Sequence, residues 1–147
     1  MQHSGRAVEV LLVEDNPADA RLTQEALAQG TVVSHVTLAP DGVEAMRFLR
    51  RETPQFASAP RPDLILLDLG LPRKNGREVL EEIKGDPSLR RIPVMVLSGS
   101  EAVDDLQFVY SLHANCYIRK PACLDEFVAV VRSIEQFWLG IVTLPTR

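Results

Sequence analysis

The sequence has no apolar run long enough to span a membrane: its longest aliphatic stretches, Leu11 to Val13 and Leu64 to Leu67, meet a carboxylate within a residue or two. It also lacks a basic excess. Sixteen Lys and Arg stand against 20 Asp and Glu, a net charge of −4, so nucleic acid finds no favourable field, and the pairs Arg50-Arg51 and Arg90-Arg91 are too short to make a patch. There are two cysteines, Cys116 and Cys123, with neither CxxC nor Cys/His metal spacing, and the start MQHSGRAVEV has no apolar core followed by a small-residue cleavage site. We therefore expect a cytoplasmic protein with reduced thiols and no nucleic-acid or membrane partner. Neither GxxxxGK[ST] nor GxGxxG occurs, which removes the P-loop and dinucleotide readings. The three histidines, His3, His35 and His113, are dispersed, and none reads as a ligand or a phosphodonor. No repeat, low-complexity tract or linker divides the 147 residues, a length that suits one domain.

What the chain does have is alternation. Val8 to Val13, Ser34 to Ala39, Asp63 to Leu67, Pro93 to Leu97 and Asn115 to Ile118 read as strands, each followed by a run of helical period. Runs such as VLLV, LILL and VMVL are continuously apolar, as parallel strands covered on both faces must be. The fold class is thus a doubly wound α/β protein of five βα units. Helix starts agree: Asn16-Pro17 offers a cap with proline at the first helical position, Asp41 to Glu44 resembles a capping box, and Asn75-Gly76 and Asp86-Pro87 bracket a short helix, Arg77 to Lys84. One connection, Arg50 to Pro62, carries three prolines and no sustained period, and reads as a long surface loop.

In an open parallel sheet, ligands bind beyond the carboxyl ends of the strands, near the point where strand order reverses. The first strand ends in Glu14-Asp15, the third in Asp68, the fourth in Ser98 and the fifth in Lys120-Pro121. Singly these are a turn, a loop carboxylate, a helix-entry hydroxyl and a surface lysine. Together they put three carboxylates, a hydroxyl and an amine on one edge. Crowded carboxylates raise one another's pKa unless a hard cation holds them ionised, and oxygen ligands with no His or Cys nearby suit Mg2+. A carboxylate beside such a metal can act as a nucleophile toward phosphorus, and Asp68, central in the sheet, is the candidate.

VLLVEDN (Val10 to Asn16), LILLDLGLP (Leu64 to Pro72), VLSGS (Val96 to Ser100) and YIRKP (Tyr117 to Pro121), in this order and spacing, resemble the receiver domain of two-component response regulators. The resemblance covers Val8 to Trp138 and implies a flavodoxin-like (βα)5 sheet of strand order 2-1-3-4-5. It further implies that Asp68 accepts a phosphoryl group from a histidine kinase, and that Asp15, Asp68 and the Gly70 carbonyl bind Mg2+, with Glu14 assisting through water. Ser98 and Lys120 would hold the phosphoryl oxygens, Ser98 and Tyr117 would act as the switch pair, and the Lys120-Pro121 bond would be cis. Glu14 and Ser98 stand where the family often has Asp and Thr, and both keep the required oxygen. Two further readings meet obstacles. A haloacid dehalogenase-type phosphatase needs a second Asp two positions after the nucleophile, where Gly70 stands, and a phosphorylation-independent dimeric adaptor usually loses an acidic or lysine position, whereas all are present here. The expectation is a phosphoacceptor, not an enzyme.

Past Leu124 a helical layout gives a core stripe of Leu124, Phe127, Val128, Val131, Ile134 and Trp138, and beside it a second stripe of Val130, Phe137 and Ile141. In the preceding helix Phe108 and Leu112 lie opposite a core set of Val103, Leu106 and Val109. A homodimer burying Phe108, Leu112, Val130, Phe137 and Ile141 is expected; the other outcome is that the tail folds back over the stripe. Residues 1–140 form the single domain in this reading, with 1–7 flexible, 141–147 an apolar tail and no output domain. The ending FWLGIVTLP (Phe137 to Pro145) and the long loop are similar to the small response regulators that pair with bacterial phytochrome histidine kinases.

Overall fold

Strands buried on both faces need apolar residues at every position, and the segments that read that way pair with one another. The computed structural model describes residues 7–30, 32–71, 74–99, 103–121 and 123–139, without the side chains of 103–105 and 139. Strands β1 (Val8–Val13), β2 (Ser34–Ala39), β3 (Leu64–Leu67), β4 (Val94–Ser98) and β5 (Cys116–Arg119) form one parallel sheet in the order β2-β1-β3-β4-β5. Helices α1 (Pro17–Ala28), α2 (Gly42–Arg50), α3 (Gly76–Gly85), α4 (Val103–Ser111) and α5 (Leu124–Ile134) each follow the strand of the same number. This is the doubly wound order expected from the sequence. Strand order reverses between β1 and β3, so that crevice is where a ligand site belongs.

Alternation along the strands divides the core in two. Leu11, Val13, Ile65, Leu67, Val94 and Val96 face α2, α3 and the Val109 side of α4. Val10, Leu12, Leu64, Leu66, Met95 and Leu97 face α1 and α5, where Ala20, Leu27, Phe127, Val131 and Ile134 complete the layer. Each such side chain contributes roughly 1.5–3 kcal/mol on burial. Three helix starts carry side-chain caps. Asn16 Oδ1 accepts from the Ala18 and Asp19 N–H groups at 2.9 and 3.1 Å, Asp41 accepts from Glu44 N–H at 2.9 Å, and Asn75 and Glu78 make a reciprocal capping box. After α5 a π-helical turn, Glu135–Leu139, buries the Glu135 carboxylate, which accepts from Val32 N–H at 2.8 Å and ties the chain's last described turn to the entry of β2.

The 50–62 connection is folded onto the domain. A 3-10 turn, Pro54–Phe56, sets Phe56 edge-on to Phe48 at 5.6 Å, and Arg51 turns the chain in a left-handed conformation (φ 53°) while its Nε donates to the Ala59 carbonyl at 2.8 Å.

Three expectations need correction. In α4 the apolar arc is wide enough to allow two rotational settings, and the sheet selects the one that buries Val109 and half-buries Leu112 against the core, leaving Leu106 40% exposed. Leu112 is therefore not an outward residue. Leu124, placed on the core stripe of α5, lies in its first turn beyond the sheet and is exposed, while Val130, placed on the second stripe, packs partly against the α1/α5 layer. No cis peptide bond occurs among the described residues, so Lys120-Pro121 keeps the trans form, which X-Pro bonds prefer in the absence of a tertiary demand. Ile141 and the rest of the 141–147 tail lie outside the described residues, as do residues 1–6.

Gly76 opens α3 directly against the end of β3: its N–H donates to the Leu69 carbonyl at 2.9 Å, and a β carbon there would overlap the Asp68 carbonyl oxygen and Leu69 Cα. Gly76→Ala is expected to cost about 1–3 kcal/mol of unfolding free energy, as backbone overpacking does. A urea midpoint equal to that of the parent would show that this approach is slack.

Candidate functional site

Parallel register brings the strand ends level. Val13 pairs with Leu67, and Asp68 N–H donates to the Val13 carbonyl at 3.0 Å, so Glu14, Asp15 and Asp68 leave the sheet side by side. One ligand oxygen from each lies within 4.8 Å of the others. Ser98 ends β4, and its carbonyl accepts from Lys120 N–H at 2.7 Å, which sets the lysine beside the same crevice from the β5 side. Glu14, Asp15, Asp68, Ser98 and Lys120, expected from the sequence, thus all come to the carboxyl edge of the sheet.

The ammonium of Lys120 gathers the acids. Its Nζ is 2.5 Å from Glu14 Oε1, 3.1 Å from Asp19 Oδ2 and 3.4 Å from Asp68 Oδ2. Glu14 is the most enclosed, at 3% exposure, and its other oxygen accepts from Asn16 N–H at 3.2 Å. Asp68 Oδ1 accepts from Gly70 N–H at 3.3 Å, and Gly70 stands exposed with open space around it. Asp15 is exposed, and an open depression of about 400 Å³ in front of Asp68 is lined by Gly70, Asn75, Arg77, Ser98 and Gly99. Tyr117 is half-buried against the α2–α4 layer, and its N–H donates to the Tyr110 hydroxyl at 3.1 Å, a link from β5 to α4.

Asp19 and Tyr110 were not read from the sequence. For Asp19 a signal existed: it lies three residues after the Asn16 cap, in the first turn of α1, so its carboxylate faces the site above β1. Tyr110 carried no comparable signal, since its role depends on where α4 meets β5.

Charge in the site is unevenly placed. Burial pushes the Glu14 carboxyl up to about 7; Asp68 pushes in the same direction and Lys120 in the opposite one. Burial also works against the Lys120 ammonium, but its hydrogen bond to Glu14 and the charges of Asp68 and Glu14 outweigh this and hold it above its ordinary value. Elsewhere, burial pushes the Cys116 thiol up to about 11, which keeps it protonated and unreactive. The acidic set is all oxygen and includes two accessible carboxylates with a backbone turn beside them. That donor chemistry fits a hard divalent cation that keeps some of its waters.

The raised Glu14 pKa has a thermodynamic sign. Folded Glu14 holds its proton up to about pH 7, whereas unfolded Glu14 loses it near 4.5, so its contribution to stability is complete below 4.5 and is lost as pH rises through 7. Glu14→Gln is accordingly expected to gain on the parent between pH 5 and pH 8 in chelator-containing buffer, measured by denaturant unfolding at each pH. A stability difference that does not change with pH would show that Glu14 titrates normally.

Comparison with known proteins agrees with this geometry. Residues 10–132 match the model of the response regulator receiver domain. The chain is 50% identical to response regulator Rcp1 of Synechocystis sp. over 136 residues, covering 92% of each chain. Its structure is similar to the phosphorylated cyanobacterial phytochrome response regulator RcpA (TM-score 0.93, 56% identity, 96% of this chain and 100% of that one). It is also similar to the Mn2+-bound form of Rcp1 (TM-score 0.91, 49% identity, 95% and 99%). With matched sequence over most of its length and the acidic crevice, serine and lysine at the edge of a 2-1-3-4-5 sheet, the chain belongs to the response regulator receiver family.

Proposed function

We propose that the protein is the phosphoacceptor of a two-component phosphorelay, taking a phosphoryl group from a histidine kinase onto Asp68. The observation that carries this is the convergence of Asp68 with Glu14, Asp15 and Lys120 at the strand-order reversal, with Ser98 across an open depression. An Asp68 carboxylate oxygen attacks phosphorus, the P–N bond to the donor imidazole breaks, and the imidazole leaves with a proton. The product is an acyl phosphate on a surface aspartate. Lys120, already 3.4 Å from Asp68, supplies a flexible positive charge for the transferred oxygens, and Ser98 a hydroxyl donor from the neighbouring strand. Asp15, Asp68 and the Gly70 carbonyl would hold Mg2+, with Glu14 behind them through water; the ion would neutralise charge that builds up on the phosphoryl oxygens. The protein's own residues promote only its own phosphorylation and dephosphorylation.

The likeness to RcpA and Rcp1 supports a bacterial phytochrome as the partner kinase. Among the described residues no helix is long and apolar enough to cross a membrane, in keeping with action in the cytoplasm. A second copy of the chain is our reading of what covers the α4–α5 side, where Phe137 is 52% exposed and Leu106, Tyr110 and half-buried Phe108 lie on α4. Phosphorylation then adds a dianion at Asp68 that draws in Ser98 and Lys120 and biases the Tyr117 side of this surface.

With acetyl phosphate and Mg2+, intact-mass analysis is expected to show one acid-stable, base-labile phosphoryl group, absent in Asp68→Asn and abolished by chelation. Labelling of Asp68→Asn to the parent level would displace the acceptor to another residue. For the surface, Phe137→Glu is expected to turn a sedimenting dimer into a monomer; a parent protein that sediments as a monomer would remove the second copy from the account.

A further inference from the structure

Arg77 is the second residue of α3, a position where the helix dipole disfavours a cation and favours an anion. Two observations surround it. Its guanidinium carbon lies 4.0 Å from the centroid of the Phe108 ring, so the cation stacks on α4 from α3. The same residue lines the depression that contains Asp68 and Ser98. Gly76 clamps the start of α3 to the end of β3, and the Asn75 capping box holds the first turn, so the arm that carries Arg77 has a fixed root beside the acceptor. Arg77 therefore stands between the carboxylate that changes charge and an aromatic ring on the surface helix.

We propose that Arg77 carries the charge state of Asp68 to α4: it stacks on Phe108 while Asp68 is a carboxylate and turns onto the phosphoryl oxygens once Asp68 is phosphorylated, baring the Phe108 ring. This rests on the phosphoacceptor reading of Asp68. The direction follows from interaction strengths. A charge-assisted, two-pronged hydrogen bond from a guanidinium to a dianion, reinforced by the positive end of α3, exceeds a cation–π contact on a half-buried ring. Neither group alone would do this: a lysine has no planar stack to lose, and an aliphatic residue at 108 offers no competing face. The exchange adds an aromatic surface to α4 in the phosphorylated form, beside Leu106 and Tyr110, which are already exposed.

The test uses the full chain, labelled on arginine with 15N, with acetyl phosphate and Mg2+ as the phosphodonor. In the unphosphorylated parent the Arg77 Nε–H signal, assigned by its loss in Arg77→Lys, is expected at a ring-shifted position that Phe108→Leu abolishes. After phosphorylation the parent and Phe108→Leu are expected to give the same downfield position. Arg77→Gln is expected to show roughly tenfold less steady-state phosphoprotein, the factor for one charge-assisted hydrogen bond, with partial recovery in Arg77→Lys. A ring-shifted signal that stays in place while intact mass shows the phosphoryl group overturns the proposal, as does parent-level labelling of Arg77→Gln. If the parent takes up no phosphoryl group, the fault lies with Asp68 as acceptor, and this inference falls with it.

Discussion

The Lys120 ammonium held among Glu14, Asp19 and Asp68 is the contact on which the rest of the structure depends. Removing an ammonium and a carboxylate from water costs several kcal/mol per ion, and mutual attraction only offsets this when the geometry is good. Here the geometry comes from three separate elements. β1 delivers Glu14, β3 delivers Asp68, and the turn after β5 delivers Lys120, so the cluster forms only when β1, β3, β4 and β5 stand in register. Its worth lies less in net stability than in position: it keeps a cation one hydrogen bond away from Asp68.

A doubly wound sheet is well suited to maintaining such a cluster. Its two apolar layers, under α2–α4 and under α1 and α5, need no polar residue and supply the burial that tolerates a crowded, charged edge. The same edge is anchored by small features with strict steric demands. Asn16 and Asn75 start the helices that flank it, and Gly76 lets α3 touch the backbone of Asp68. The result is a tightly packed floor with an open front, the depression lined by Asp68, Ser98 and Arg77.

Legibility from the sequence varied with how local each signal was. The central strands β1, β3 and β4 were readable because a nearly continuous apolar run closed by an acidic residue or serine fits a parallel strand buried on both faces and little else; the observed bounds of β1 and of the half-exposed edge strand β2 match the reading residue for residue. Asp68, the acidic pair Glu14-Asp15, Ser98 and Lys120 were readable as neighbours because each closes a strand. Asp19 was missed because it sits inside a helix, one turn away from any strand end, and Arg77 because nothing local marks a cation that stacks on a different helix. The rotational setting of α4 was misread: Val103, Leu106 and Val109 on one arc compete with Phe108 and Leu112 on another, and periodicity weighs them equally. The reading of α5 succeeded for Phe127, Val131 and Ile134, where one arc dominates, and failed at Leu124, where the helix begins before the sheet can cover it.

By itself, then, the sequence determined the fold class, the strand ends and the identity of the acidic, hydroxyl and amine groups of the site, because each of these is written in short-range order: apolar runs, caps and the residues that terminate them. Tertiary structure alone decided which carboxylates the lysine reaches, which face of α4 meets solvent and that Arg77 meets Phe108. These depend on distances between segments far apart in the chain, and only the parallel register and the packing of the two layers set those distances.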